Sequence, residues 1–248
     1  MNGSEGGVSP GNWVDAIGPH STAEDVEPLL DHPQSDESHL LRLLRKRELG
    51  SPVIEAVARH ERWSGRQVVR AAIVMHAKTP RTLSLRLLNL LLWRDQLRVA
   101  TNLRLPVPLR VAAEARLKER YPELELGEKI SLSRTAPAGL VPQLAAENDP
   151  RVIGALLQNP RLSELDVVGI LRRGDTSAEV LRVVSASERW MVRPAVRLGV
   201  LSHANTPVHV SLSLIARMPT RELKKLVASR ALPRIVAITA ERMLDESR

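Results

Sequence analysis

Two groups of arginines have a spacing that could support binding chemistry. The first group is Arg62, Arg66 and Arg70, and the second is Arg189, Arg193 and Arg197. Residues separated by four positions line one face of an α-helix and drift slowly around it. A row of guanidinium groups can bind successive phosphates or an acidic protein surface. The spacing therefore predicts two basic binding stripes, with ion pairs to a neighbouring helix or a solvated face as the structural alternative.

A tryptophan follows the first arginine of each group. Trp63 comes after Arg62, and Trp190 comes after Arg189. A tryptophan beside arginines can stack on a nucleic-acid base. A tryptophan that recurs at an equivalent place more often seals the contact between adjacent helices. We therefore expect a structural role for both residues and retain stacking as the alternative.

The sequence contains no recognisable catalytic or cofactor-binding pattern. It has neither a Gly-x-Gly-x-x-Gly loop nor a Walker-type Gly-Lys-Ser/Thr, and no glycine-framed nucleophilic serine. Its seven histidines do not occur at metal-ligand spacing. Instead, His76 and His203 each precede a Thr-Pro pair, a place that suits the capping of a helix end. We expect no catalytic residue, no metal and no cofactor.

The composition indicates a globular, helical protein. Hydrophobic residues make up 43% and charged residues 26% of the 248 positions, which is typical of a folded chain. Aromatic residues make up only 2%, a scarcity that argues against an all-β fold. No apolar run is long enough to span a bilayer, no signal peptide is recognisable, and cysteine is absent, all of which favour a cytoplasmic protein. The net charge of +8 favours acidic partners.

An internal repeat organises the chain. Residues 22–117 align without a gap to residues 149–244, at the offset of 127 that separates Trp63 from Trp190. His76-Ala77-Lys78-Thr79-Pro80, for example, returns as His203-Ala204-Asn205-Thr206-Pro207. A match of this length predicts a tandem duplication. The predicted organisation is a flexible N-terminal tail over 1–21, a first unit over 22–120, a helical bridge over 121–148 and a second unit over 149–248.

Short helices are predicted throughout both units. Apolar residues recur at helical spacing between Pro-marked turns, as in Val152, Ile153, Leu156 and Leu157, and no segment alternates like a strand. A Thr, Asp or Asn before a proline can cap the helix that the proline begins. The predicted helices of the first unit lie near 23–31, 37–48, 51–60, 64–77, 80–92, 94–103 and 107–120. Those of the second unit lie near 150–158, 163–173, 177–186, 191–203, 207–217, 220–229 and 233–245, and the bridge is expected to form two more.

Two Pro-marked turns carry a family resemblance. The runs Asn148-Asp149-Pro150-Arg151-Val152 and Gln158-Asn159-Pro160-Arg161-Leu162 resemble the repeats of HEAT-like and leucine-rich-repeat-variant proteins. The likeness extends loosely over residues 22–245 and implies an α-solenoid of stacked helices. These families share no common active site. Some HEAT-like proteins are DNA glycosylases with an acid among tryptophans, and here only Trp93 and Asp95 fit that pattern.

The leading functional expectation is a non-enzymatic interaction or scaffold protein that presents a basic surface to an acidic protein partner. The alternative is a nucleic-acid-binding solenoid that contacts the phosphate backbone without reading sequence. A HEAT-like DNA glycosylase is the least favoured interpretation, because Asp95 corresponds to Glu222 in the second unit whereas Trp93 corresponds to Thr220.

Overall fold

The computed structural model describes residues 10–228 and 232–246, and over these residues the chain forms helices and no strand. This confirms the predicted all-α class. The chain divides into two compact units, Met1–Arg120 and Tyr121–Arg248. Within the described ranges, no helix has both the length and the apolar character needed to cross a membrane.

The first unit is built from nine short α-helices over its described residues. They are α1 (Pro10–Ala16), α2 (Ala23–Asp31), α3 (Glu37–Leu44), α4 (Ser51–Arg59), α5 (Glu61–Ser64), α6 (Gln67–Met75), α7 (Arg81–Leu88), α8 (Trp93–Thr101) and α9 (Val107–Arg120). One row of packed neighbours runs through α1, α3, α6 and α8, while α2 packs against α4 and α7 against α9. The apolar stripes between these rows form the core, where Leu40, Ile54 and Val69 are fully buried.

The second unit repeats this style of packing. Its helices are α10 (Leu126–Ser133), α11 (Val141–Ala145), α12 (Pro150–Leu156), α13 (Glu164–Arg172), α14 (Ala178–Ser185), α15 (Glu188–Met191), α16 (Pro194–Ser202), α17 (Val208–Ala216), α18 (Thr220–Ala228) and α19 (Arg234–Glu246), with 3₁₀ turns at Tyr121–Glu123 and Ala138–Leu140. Here α11, α13 and α16 pack in succession, and α10, α12 and α14 do the same.

The helix starts follow their capping residues only in part. Asp149 accepts a hydrogen bond from the amide of Arg151 and caps α12, as the Asp-Pro pair predicts. Thr79 and Thr206 behave differently. Their hydroxyls donate 2.5 Å bonds back to the carbonyls of Ile73 and Val200, so each threonine satisfies the end of the preceding helix.

The tail predicted over 1–21 is wrong from Pro10 onwards. Residues 1–9 lie outside the described ranges, whereas Pro10–Ala16 forms α1 and packs on α2 and α3. Val14 and Ile17 are buried, and the ammonium of Lys46 donates to the carbonyls of both at 2.6 and 2.7 Å. These two apolar side chains and the lysine contacts hold the segment on the first unit.

The segment 121–148 belongs to the second unit and is not a separate bridge between two units. Its helices α10 and α11 both pack against α12. The side chain of Asn159 also joins this segment to the next, because it donates to the carbonyls of Ser133 and Ala136. The predicted pair of helices is present over this range, at Leu126–Ser133 and Val141–Ala145.

Tyr121, the single tyrosine of the chain, provides a test of this packing. Burial raises the pKa of its phenol, and so does its 2.8 Å hydrogen bond to Glu147. Because the folded-state pKa lies above the unfolded value of about 10, stability from this group is present below that pH and is lost as the pH rises above it. We expect tyrosinate absorbance to appear only as the second unit unfolds at high pH. Reversible ionisation near pH 10 in the folded protein would contradict this.

Candidate functional site

The two tryptophans are core residues. Trp63 is 2% exposed and Trp190 is 3% exposed. Each indole nitrogen donates a 2.9 Å bond to a backbone carbonyl 33 residues earlier, Trp63 to Leu30 and Trp190 to Leu157. This burial leaves no ring face open for a base, so the stacking alternative is wrong for both tryptophans. Their contacts are those expected of residues that seal the packing between helices.

The predicted arginine stripes do not lie on single helices. In the first unit, α5 ends at Ser64, and Arg66 has extended backbone angles before α6 begins. In the second unit, Arg193 occupies the same position before Pro194. The residue before a proline is disfavoured in helical conformation, which explains the break in the second unit. The prediction that each set of three lines one helix face is therefore wrong.

Four of the six stripe arginines bind backbone carbonyls. Arg62 donates to His32, Pro33 and Ser35, and Arg189 donates to Leu157 and Asn159. Their guanidinium groups also lie 4.5 and 4.7 Å from the centroids of the adjacent indole rings. These groups satisfy the carbonyls at the end of a preceding helix, which is a structural task.

Arg70 and Arg197 form the second pair of backbone binders. Arg70 donates from two nitrogens to the carbonyl of Ser64 at 3.1 and 2.8 Å. Arg197 donates to the carbonyl of Met191 at 2.6 Å and also binds Glu222. Both arginines thus tie the short helix to the longer helix that follows it.

Arg66 and Arg193 make surface ion pairs. Arg66 lies 3.6 Å from Glu37, and Arg193 lies 3.3 Å from Glu164. Both arginine side chains are more than half exposed, at 59% and 55%. Exposed pairs of this kind contribute up to about 1 kcal/mol and can exchange for a partner's carboxylates. Within the described residues, these two are therefore the stripe arginines that pair with an exposed carboxylate and with no backbone carbonyl.

The two histidines each link two segments of the same unit. Nε2 of His76 lies 2.9 Å from the carbonyl of Lys46, and Nε2 of His203 lies 2.8 Å from the carbonyl of Arg173. In each ring Nδ1 accepts a backbone amide, so Nε2 carries the donated proton. Each histidine therefore binds a carbonyl just after the end of a packed neighbouring helix, α3 for His76 and α13 for His203. The tryptophan, arginine and histidine contacts of the two units therefore correspond at the 127-residue offset.

A groove on the first unit brings together a different set of arginines. It has a volume of about 490 Å³ and runs over α3, α6 and α8. Leu41, Val68 and Met75 contribute to an apolar floor. Four arginines lie around it, namely Arg45, Arg47, Arg98 and Arg104. We call this feature the arginine groove.

Three of these four guanidinium groups are free to bind a ligand. Arg45, Arg47 and Arg104 are exposed, and within residues 10–228 and 232–246 none of their guanidinium groups has a hydrogen-bond or ion-pair partner. Arg98 differs, because it pairs with Asp95 at 3.0 Å. The groove therefore combines unpaired positive charge with exposed apolar surface, a combination suited to binding an amphipathic anion.

The groove offers no evident catalytic or metal-binding arrangement. Asp95 lines it, but its carboxylate is held by Arg98, and Trp93 is buried and does not line the groove. The acid and the tryptophan of the glycosylase interpretation are thus not presented together. Among the residues that the structure describes, no group of three histidines or carboxylates could hold a metal ion.

The corresponding face of the second unit has a different chemistry. At the 127-residue offset, Arg47 is replaced by Gly174 and Met75 by Ser202. Glu222 stands where Asp95 does, and its extra methylene lets it reach Arg197 at 2.6 Å. Leu198, which is 39% exposed, stands where Ala71 lines the groove. The second unit thus keeps basic residues at two of the four positions, Arg172 and Lys225, and lacks counterparts of Arg47 and Arg104.

The spacing rule missed the groove arginines because they come from different elements. Arg45 and Arg47 follow the end of α3, whereas Arg98 and Arg104 lie in and after α8. The dense run Arg45-Lys46-Arg47 was one available signal. The other was the repeat itself, because Arg47 has no basic counterpart in the second unit and so is not needed for the shared packing.

No protein-family model, no curated protein and no solved structure matches the chain. The function is therefore argued from the geometry alone.

Proposed function

We propose that this chain is a non-enzymatic helical-repeat interaction protein that presents a basic surface to an acidic protein partner. The observation that carries the proposal is the arginine groove, where the guanidinium groups of Arg45, Arg47 and Arg104 have no hydrogen-bond or ion-pair partner among the described residues. Unpaired guanidinium groups bind carboxylates through paired hydrogen bonds, and long-range attraction to a chain of net charge +8 speeds the encounter. Each unit also carries one exposed, ion-paired arginine, Arg66 in the first and Arg193 in the second.

The apolar floor favours a protein partner over nucleic acid. Val68 is 45% exposed, and Leu41 and Met75 are partly exposed beside it. A phosphate backbone supplies charge but no apolar group to cover these side chains. An acidic protein segment supplies both. The burial of Trp63 and Trp190 also leaves those two rings unable to act as stacking platforms for single-stranded bases.

The proposal includes an α-solenoid that arose by tandem duplication. Its support is the set of equivalent contacts, such as Trp63 to Leu30 and Trp190 to Leu157. The successive packing of α1, α3, α6 and α8, and of α11, α13 and α16, is what stacked repeats would produce. Duplication also explains why the chain keeps the same linking residues in both units while the groove differs.

The proposal is tested by affinity capture with the full-length chain. Extract of the native host is treated with nuclease, and captured proteins are quantified by mass spectrometry. We expect Arg45→Glu/Arg104→Glu to reduce recovery of the specific partner about tenfold or more, since reversing interface charges replaces attraction with repulsion. Circular dichroism should show unchanged helicity, because both side chains are exposed.

The matched control is Arg81→Glu/Arg86→Glu. These arginines are also exposed in the first unit but lie outside the arginine groove, and the control changes the net charge equally. It should capture the partner as the unmodified chain does. Equal capture by the groove variant, or equal loss in both variants, would contradict the proposed role of the groove.

Nucleic-acid binding is the second candidate, favoured by the same unpaired guanidinium groups, which also match phosphate geometry. The two candidates differ in their response to salt, because phosphate contacts release counterions and affinity then falls steeply with salt concentration. Capture that disappears after nuclease treatment, together with salt-sensitive binding of labelled duplex DNA, would replace the protein partner with this alternative.

A further inference from the structure

We infer that the segment docked in the arginine groove is an amphipathic α-helix whose apolar stripe covers the floor and whose acidic side chains are concentrated toward one end. The inference rests on the proposed function, because it specifies the acidic partner of the same groove. It follows from the arrangement of the floor and from the position of the free charges.

The floor has the dimensions and pattern of a helix-docking surface. Along α6, Val68, Ala71, Ala72 and Met75 all line the groove. They lie at positions i, i+3, i+4 and i+7, which form one stripe on a helix. The stripe is about 10 Å long, or two helical turns. Its two central residues are alanines, so a docked helix can approach α6 closely, with Leu41 and Leu44 of α3 beside it.

The free charges are not spread evenly along this stripe. Arg45 and Arg47 follow the last residue of α3, and the bond from His76 to the carbonyl of Lys46 joins that point to the end of α6. Both arginines therefore lie toward the Met75 end. Arg104, which follows α8, lines the same groove. Val68, at the other end of the stripe, is apolar, and the other two charged side chains of the lining, Asp95 and Arg98, form an ion pair with each other.

This asymmetry specifies the partner. An extended acidic tail would satisfy the arginines but leave the floor in water. An apolar helix would cover the floor but leave three guanidinium groups without partners in a narrowed groove. A helix with apolar residues at i, i+3, i+4 and i+7 and carboxylates near one end satisfies both requirements.

The experiment uses the full-length chain and two fluorescein-labelled peptides of identical composition. In the amphipathic peptide, leucines lie at i, i+3, i+4 and i+7 and glutamates are clustered at one end. In the scrambled peptide, the glutamate cluster is kept and the leucine spacing is broken. We expect fluorescence anisotropy to show about tenfold tighter binding of the amphipathic peptide, because only its leucines can cover the floor together.

Variants then assign the difference to the groove. Val68→Asp should remove the tenfold preference, whereas Val111→Asp, at a valine 60% exposed on α9 outside the groove, should leave it intact. Both variants should fold, which circular dichroism checks. Arg45→Glu/Arg104→Glu should weaken the binding of both peptides, since both carry the same acidic cluster.

Each contrary outcome has a distinct meaning. The two peptides could bind with equal affinity, and Arg45→Glu/Arg104→Glu could abolish the binding of both. That result would overturn the helix inference and leave the acidic-protein proposal standing. Failure of both peptides to bind would also overturn the inference, while the capture experiment decides the proposed function separately. Groove-dependent binding of labelled duplex DNA with no binding of either peptide would overturn both.

Discussion

Replacing Trp63 with alanine should lower the free energy of unfolding of the first unit by about 3–5 kcal/mol. The indole is 2% exposed, so its removal leaves a cavity among helices that are too short to be stable alone. The change also leaves the carbonyl of Leu30 without the indole N–H, and it removes the ring on which the Arg62 guanidinium lies. Urea unfolding followed by circular dichroism measures the effect without relying on tryptophan fluorescence.

Two further variants separate the contributions of Trp63. Trp63→Phe keeps an aromatic ring but loses the N–H that donates to Leu30. We expect it to lower the free energy of unfolding by about 1–3 kcal/mol, because a buried carbonyl then loses its hydrogen-bond partner. Trp13→Ala is the control for the same chemical change at a partly exposed indole, and should cost much less. If Trp63→Ala destabilised the chain no more than Trp13→Ala, the proposed structural role of Trp63 would be untenable.

Replacing Asn159 with alanine should cost about 3 kcal/mol, although it removes only a small polar side chain. Asn159 is fully buried. Its amide nitrogen donates to the carbonyls of Ser133 and Ala136 at 2.9 and 3.1 Å, and its amide oxygen accepts the backbone N–H of Arg161 at 2.8 Å. Alanine leaves all three backbone groups without this partner in a region closed to water.

Asn148 provides the matched control for Asn159. Its side chain makes two comparable bonds, to the carbonyl of Asp175 and from the amide of Ser177, but it is exposed. Water can replace those bonds, so Asn148→Ala should cost no more than about 1 kcal/mol. Asn159→Asp should be at least as damaging as Asn159→Ala, because it directs an acceptor at two carbonyls. Thermal melts of the three variants test the order, and equal effects of the two alanine changes would contradict it.

Much of the secondary structure could be predicted from local pattern. The helices Ala23–Asp31 and Ser51–Arg59 lie within a residue of the predicted ranges. One helix was predicted near 64–77. In the structure, the short helix α5 ends at Ser64 and α6 begins at Gln67. The break was difficult to predict in the first unit because Arg70 stabilises it through the carbonyl of Ser64, a contact that no local pattern shows.

The binding stripes were harder to predict than the helices. Spacing alone cannot distinguish an arginine that faces water from one that binds a carbonyl. Arg62 and Arg70 are engaged by carbonyls of neighbouring segments, whereas Arg45 and Arg47 are not. That distinction depends on which helix ends lie close together, and therefore on packing between helices.

The sequence by itself determined the helical class and the correspondence between residues 22–117 and 149–244. Both depend on local composition and periodicity, which each short segment carries on its own. The tertiary structure alone decided which arginines donate hydrogen bonds to the carbonyls at helix ends. It also brought Arg45, Arg47 and Arg104 around the apolar stripe of α6. The physical reason is that a guanidinium group binds the nearest unsatisfied acceptor, and helix packing determines which acceptors lie within its reach.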